Sequence, residues 1–304
     1  MKNILITGGL GYIGSKLASS YLDDTDNKIT VVDKIVNKKI INFLNEGGIE
    51  YKNLDILDSD NLAPLVKDAD VVFHLAGVTS VPRVKVEESN VLNKEIARTA
   101  IDGTQNIIEN IKDSSKIIFP STHVVFEGLK EVKIDIQENY QVYPKLIYAK
   151  SKVQNEVDIK FNCSNYIILR LGSVHGFNPL TTRYNIMVNF FAQAAAKKDS
   201  IDLHGGGIQL KSLVSVYDVV RCLRFFDNND DIFNEIFHCV SENKSVLEVA
   251  ELCKEYSEGL KINLTKDKIP NPGYSLSSIK LEKAGFKFEK KVKDSIKNII
   301  DNTR

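Results

Sequence analysis

Short apolar runs alternate with longer stretches of helical spacing along the first half of the chain. Ile4–Thr7, Ile29–Asp33, Ile49–Asn53, Val71–Leu75, Ile117–Ser121 and Tyr166–Leu171 are near-continuously apolar and read as strands. The segments 13–22, 89–111 and 146–160 between them carry apolar residues at helical spacing. Strands apolar on both faces and separated by helices predict a parallel sheet covered on both sides. Six such strands define an α/β fold, a doubly wound sheet of the Rossmann type. Past Leu171 the segments shorten, and Gly205-Gly206-Gly207 and a Pro-Asn-Pro-Gly turn at 270–273 mark a smaller lobe. The expected division is a Rossmann domain over 1–172, rejoined by part of 212–240, and a substrate-binding lobe over 173–304. With no flexible linker between them, the two are expected to pack around a cleft. The Lys-rich stretch from Lys283 to Lys297 reads as the solvated face of one closing helix.

Composition changes this picture little. The chain has 304 residues, 43% hydrophobic and 26% charged, which suits a globular protein with a real core. Its 40 basic residues equal its 40 acidic ones, so no net field draws it to nucleic acid or an anionic membrane. Cys163, Cys222, Cys239 and Cys253 have no metal-ligand spacing and read as core residues in a reducing compartment. The five histidines form no ligand set, so no metal is expected. The apolar run Ile4-Leu5-Ile6 is too short for a signal peptide or a membrane span, and the expected location is cytoplasmic.

Chemistry enters at Thr7-Gly8-Gly9-Leu10-Gly11-Tyr12-Ile13-Gly14, which follows the first strand and opens the first helix. Glycines at 8, 11 and 14 allow a tight turn, close approach to a pyrophosphate and packing of the helix on the sheet. The helix N-terminus then presents N–H groups and positive dipole to phosphate. A glycine triplet alone is also what a tight strand–helix turn needs. Asp33 ends the second strand 19 residues after Gly14, where a carboxylate accepts hydrogen bonds from an adenosine ribose and repels a 2′-phosphate. That combination predicts NAD rather than NADP. Asp55, expected to close the third strand, can reach the adenine; a surface aspartate fits as well.

Tyr148 and Lys152 stand four residues apart, on one face of a predicted helix. A tyrosine, with an ordinary pKa of about 10, is a poor base at neutral pH unless an ammonium stabilises its phenolate. Alone, a YxxxK pair is also a common coincidence of helix surfaces. Thr122, expected just past the fifth strand, lies at the carboxyl-end crevice where such sheets bind ligands. Its hydroxyl can share a substrate oxygen with Tyr148.

These motifs resemble the extended short-chain dehydrogenase/reductase superfamily, in particular its NAD-dependent nucleotide-sugar epimerases and dehydratases. TGGLGYIG at 7–14 is similar to the family's cofactor loop, and His74-Leu75-Ala76-Gly77 to its HLAA run. Ser121-Thr122-His123-Val124-Val125-Phe126 resembles the SS-x-x-VY segment, Tyr148 to Lys152 its YxxxK, and Arg170 to Gly176 its LR-x-x-NVYG. Gly205 through Asp218 resembles the stretch at the sugar-nucleotide site. The resemblance implies Thr122, Tyr148 and Lys152 as catalytic residues. It implies Gly8, Gly11, Tyr12, Ile13, Gly14, Asp33, Asp55, Ile56, Leu75, Ala76 and Gly77, with Tyr148 and Lys152, around NAD. His123, Ser173, Arg183 and Lys211 become substrate candidates, and a homodimer through helices 89–111 and 146–160 is implied as well.

Departures narrow the reaction. Ser173 and His175 replace an asparagine and a tyrosine, and Lys211 replaces an arginine, keeping charge without bidentate geometry. Ala100-Ile101-Asp102-Gly103-Thr104 stands for N-x-x-G-T, Phe126 replaces a tyrosine, and Glu127 is inserted before Gly128. Dehydratases of the family carry an Asp-Glu pair after the catalytic threonine; His123 and Val124 here disfavour elimination of water. An epimerase, most simply a hexose 4-epimerase, needs only the triad, retained NAD and room to turn a keto sugar. Val125-Phe126-Glu127-Gly128 resembles 4-keto-sugar reductases and keeps that alternative, while a non-catalytic NAD sensor or scaffold is the third. His74 reads as structural, His123 as an acid/base candidate, and His175 and His204 as cleft-wall residues.

Overall fold

The computed structural model describes residues 1–22, 24–79, 90–267, 269, 271 and 273–303. The chain opens with β1 (Asn3–Thr7), α1 (Tyr12–Ser19), β2 (Lys28–Asp33), α2 (Lys38–Glu46) and β3 (Glu50–Asn53). Then come α3 (Ser59–Asp68), β4 (Val71–His74), α4 (Asn90–Ile108), β5 (Lys116–Thr122), β6 (Lys133–Ile136) and α5 (Ile147–Asn162). They are followed by β7 (Tyr166–Leu171), β8 (Ser173–His175), α6 (Met187–Ala196), β9 (Ser200–Leu203) and β10 (Leu210–Ser215). Next are α7 (Val216–Asp227), β11 (Glu235–Cys239), β12 (Glu242–Ser245), α8 (Val246–Glu255) and β13 (Lys261–Leu264). The chain closes with β14 (Tyr274–Leu276), α9 (Ile279–Lys283) and α10 (Val292–Thr303).

Seven strands form the main sheet in the order β11-β7-β5-β4-β1-β2-β3. The pairs β2–β3, β1–β2, β1–β4 and β4–β5 are parallel, with Thr7 level with both Val32 and His74. The strand order reverses between β1 and β4, which makes their carboxyl ends the natural ligand crevice of a Rossmann sheet. Leu5, Val72, Ile117, Phe119 and Ile168 on strands, with Leu62, Ile107 and Ile159 on helices, form one core of this sheet. Two buried polar devices tie its periphery together. Lys116 reaches from the start of β5 to the carbonyls of Phe226 and Asn229, which cap the end of α7. The Tyr21 hydroxyl donates to Asp227 at 2.7 Å.

The chain divides into two interleaved units. One comprises Met1–Thr122, Pro144–Leu169 and Val220–Ile236; the other comprises His123–Tyr143, Arg170–Val219 and Phe237–Arg304. Segment 123–143 falls in the second unit, across the boundary at 172 expected from sequence, and 220–236, inside the stretch 212–240 expected to rejoin the first domain, falls in the first unit. The second unit has small sheets of its own, β12-β10-β8, β13-β9 and β14-β6. Its core gathers Val188, Phe191, Leu203, Leu213, Val249 and Ile296. A capping box between Ser245 and Glu248 starts α8 there.

Several expected boundaries shift. Strand β11 was not legible because Glu235 and His238 interrupt its apolar run. Thr122 is the last residue of β5 rather than past it, and β3 ends at Asn53, so Asp55 lies beyond the strand. The closing helix is two helices: α9 ends at Lys283 and α10 begins at Val292, with Gly285 at a left-handed φ of 101° between them. Ser89, at the start of the expected helix 89–111, and Pro270 and Pro272 of the expected turn lie outside the described residues.

Candidate active site

The glycine loop is built for close approach. Gly8 has φ +68°, and a Cβ there would stand 2.7 Å from the backbone of Ala76. A Cβ at Gly14 would run into the carbonyl oxygen of Gly8. Gly11 caps α1 with no side-chain hydrogen bond, and no acidic residue stands in the first turn of the helix. That end of α1 therefore has the electrostatics of a phosphate site. The Asp33 carboxylate, nearly buried, accepts from the N–H groups of Leu10 and Ile35, each at 2.9 Å, and so fixes the loop. Beside it, Lys34 faces Glu95 at 3.4 Å and Asp55 at 3.8 Å, so this cation is paired with carboxylates. These features fit a dinucleotide without a 2′-phosphate.

His74 organises the far wall of this loop. Its Nδ1 lies 2.9 Å from the Thr7 hydroxyl and its Nε2 3.0 Å from that of Thr104 on α4. The Thr7 hydroxyl also accepts from the Ala76 N–H, so the turn carrying Leu75, Ala76 and Gly77 is fastened to β1. Burial pushes His74 down to about 3, with the Lys152 charge adding to the shift; the ring is neutral. Ile56 is a core residue. Gly103 leaves no room beyond its Cδ1, and its carbonyl accepts from Asn106, so it can offer a cofactor little beyond its main-chain N–H. Tyr12 and Ile13 form the first turn of α1.

Thr122, Tyr148 and Lys152 all belong to the first unit. Thr122 is buried at the carboxyl end of β5, and Tyr148 is partly buried in the first turn of α5. Lys152, one turn further along α5, is buried. Its Nζ donates to the Pro120 carbonyl at 2.8 Å and lies 4.1 Å over the Phe119 ring. Burial pulls Lys152 down to about 8, opposed by the charge of Glu156. Glu156 and Ser121, which sequence reasoning passed over, are buried and bonded to each other, the Ser121 hydroxyl donating to Oε1. The signal was present: Glu156 extends the Tyr148–Lys152 spacing by four more residues, on the same helix face.

The four substrate candidates lie in the second unit. His123 stands against Tyr274, whose hydroxyl donates to the His123 carbonyl at 2.9 Å. The same oxygen must then accept from His123 Nδ1–H at 3.0 Å, because its single proton is already used. The ring is therefore the Nδ1–H tautomer, with a lone pair on Nε2. Burial, then the Lys211 charge, pushes His123 down to about 3, while burial and Glu127 push Tyr274 far up. Lys211, on β10, is itself lowered by burial, with Glu127 opposing. Ser173 begins β8, level with Leu213 of β10, so Ser173 and Lys211 share one small sheet. Arg183 lies on the loop before α6, its Nε donating to Asn185 at 3.0 Å. His204 bonds Asp267 at 2.8 Å, and His175 is buried in β8 with neither ring nitrogen bonded to a described residue.

Among the described residues no group of histidine, cysteine or acidic side chains can hold a metal ion, and no helix is long and apolar enough to cross a membrane. All four cysteines are free and buried.

The model of the NAD dependent epimerase/dehydratase family matches residues 4–237, and the chain belongs to that family of enzymes. Among its relatives, a UDP-N-acetyl-alpha-D-glucosaminuronate decarboxylase of Bacillus cytotoxicus is 31% identical, over 82% of this chain and 78% of the relative. A UDP-glucose 4-epimerase of Mycoplasma genitalium is 26% identical, over 99% of this chain and 95% of the relative. In fold, the chain superposes with a TM-score of 0.84 on the UDP-glucuronic acid 4-epimerase of Bacillus cereus, solved with UDP-glucuronic acid and NAD. That pair is 21% identical and covers 99% of this chain and 98% of the other.

Proposed function

We propose that this protein is a nucleotide-sugar 4-epimerase working on a UDP-hexose, with NAD held on the loop from Gly8 to Gly14. The observation that carries the reading is the arrangement at the end of β5. Thr122 closes the strand, Lys152 is fastened to it through Pro120, and Tyr148 stands one turn before Lys152 on α5. Gly8, Gly11 and Gly14 take the pyrophosphate and Asp33 the adenosine ribose. Leu75, Ala76 and Gly77 line the nicotinamide side. When bound, NAD supplies reversible hydride acceptance.

Tyr148, as phenolate, takes the proton of the sugar hydroxyl as its carbon is oxidised, and later returns it to the ketone oxygen. The Lys152 ammonium stabilises that phenolate, and the Thr122 hydroxyl bonds the same sugar oxygen. After the keto sugar turns in the site, reduction on its opposite face gives the epimer. Lys211 and Arg183 neutralise the pyrophosphate of the sugar nucleotide. No carboxylate follows Thr122, since His123 and Val124 occupy those positions, so elimination of water lacks its acid and base.

The Bacillus cytotoxicus relative favours a second reading, decarboxylation of a UDP-uronic acid. Oxidation at C4 of a uronic acid places a ketone β to the C6 carboxylate, and the same triad then suffices for loss of carbon dioxide. Incubation with UDP-glucose, UDP-N-acetylglucosamine and UDP-glucuronic acid, followed by NMR and mass spectrometry, separates the readings. An epimer of unchanged mass without net NADH consumption supports the proposal, and release of carbon dioxide replaces it with the second reading. Stoichiometric NADH consumption with a 4-keto sugar would make the protein a reductase instead. For assembly we propose a homodimer through α4 and α5, where Phe161 is 84% exposed and Val91 and Val157 are exposed as well. Light scattering of Phe161→Glu tests it, with a monomer expected.

A further inference from the structure

The proposed chemistry uses Tyr148, Lys152 and Thr122 and leaves a buried carboxylate unexplained. Glu156 is 4% exposed, and a carboxylate so buried is costly unless it is bonded and paired. It stands four residues after Lys152 on α5, and its Oε1 accepts from the Ser121 hydroxyl. Lys152 in turn donates to the carbonyl of Pro120 at 2.8 Å. Two charged residues one turn apart on α5 thus grip two consecutive residues of β5, directly before Thr122. A single contact would let the helix roll or slide against the strand; two contacts at this spacing fix both rotation and translation.

The surroundings of Lys152 give Glu156 a second task. From β5 the ammonium meets the Phe119 ring and the Pro120 carbonyl. From β4 it faces His74, which is neutral and bonded on α4 to the hydroxyl of Thr104. On α5 its neighbours are Tyr148 and Glu156. Among the described residues the one charged group acting on Lys152 is Glu156. An ammonium buried against an aromatic ring and a neutral imidazole loses its proton easily without a counter-charge.

We propose that Glu156, anchored by Ser121, is a positioning residue that keeps Lys152 an ammonium beside Tyr148 and holds α5 in register with the end of β5. The proposal rests on the reading above for the role of Tyr148 alone. It is tested first without substrate, by carbon-13 NMR titration of protein labelled at the lysine ε-carbons, with Lys152→Met assigning the signal. Glu156→Gln keeps an acceptor for Ser121 and removes the charge. Its Lys152 midpoint is expected to fall by about one pH unit or more, the scale of one close counter-charge. The alkaline limb of kcat/KM should move with it, Ser121→Ala should give a smaller shift in the same direction, and Glu156→Asp should recover part of it. Coincident midpoints in the wild type and Glu156→Gln would overturn the proposal, as would a uniform fall in activity with an unmoved limb. If Glu156→Gln does not fold, the midpoints of Ser121→Ala and Glu156→Asp decide, and unshifted values reject it. Failure to turn over any nucleotide sugar counts against the function and leaves the titration result standing.

Discussion

His74 in the first unit and His175 in the second are both buried, at 1% and 0% exposure, and burial pushes both down to about 3. His74 is bonded through both nitrogens, to Thr7 and Thr104, and holds the turn at Ala76 in place. Among the described residues His175 bonds through neither. A neutral imidazole always carries one N–H, so His175 bears a penalty that His74 does not. The contrast runs further. In the region of the glycine loop and α5, polar side chains join strands of the main sheet to their neighbours: Asp33 of β2 holds the loop at Leu10, and Lys152 and Glu156 of α5 bond residues of β5. Of the substrate candidates of the second unit, Ser173 and Lys211 lie on a three-stranded sheet, His123 in a short 3-10 turn and Arg183 on a loop. Positions 173, 175 and 211, which depart from the pattern the sequence resembles, all lie in the second unit.

The sharpest test of that contrast pairs one residue from each region. Tyr148→Phe should lower kcat at least about 10³-fold with NAD affinity retained. Lys211→Met should instead raise KM about tenfold with kcat nearly unchanged, as loss of ground-state binding requires. Equal effects of the two on kcat would erase the division of labour. Next in size is Gly14→Ala, whose methyl meets the Gly8 carbonyl and pushes α1 off the loop. It should weaken NAD binding in calorimetry by about 3 kcal/mol, the scale of steric strain at such a site.

The two histidines can then be compared directly by urea unfolding. His74→Leu strands the Thr7 and Thr104 hydroxyls and should destabilise by about 2 kcal/mol, whereas His175→Leu should be neutral or stabilising by about 1 kcal/mol. Equal losses would mean that His175 has bonding partners after all. Acid acts through the same two rings. Below about pH 6.5 the unfolded chain protonates these histidines, while the folded chain refuses those protons until about pH 3. Stability therefore falls as the pH drops through that window, by about 1.4 kcal/mol per buried histidine at pH 5.5. The double Leu variant should flatten the dependence of the unfolding midpoint on pH.

Much of the first unit was legible because its signals are local. Strand Tyr166–Leu171 falls where its apolar run places it, and Gly8, Gly11, Gly14 and Asp33 lie at spacings that a β-α-β unit enforces. The apolar pattern failed where polar residues sit in buried strands, as Glu235 and His238 do in β11. It failed again where a glycine divides a Lys-rich stretch into α9 and α10. Ile56, which the resemblance implies near NAD, has its side chain in the core against Gly103 of α4, a placement that only the packing shows.

The sequence by itself determined the glycine loop, the preference for NAD and the spacing of Tyr148 and Lys152, because each depends on residues within one turn of helix or one β-α-β unit. The tertiary structure alone decided which groups 30 or more residues apart on the chain are bonded. These include the Ser121 hydroxyl on Glu156, Lys152 on the Pro120 carbonyl and His74 between Thr7 and Thr104. It also decided that Tyr274 sets the tautomer of His123 from 151 residues away. Helical and strand periodicity can place a side chain on a face; only packing brings a distant partner to that face, and the charge of a buried group depends on that partner.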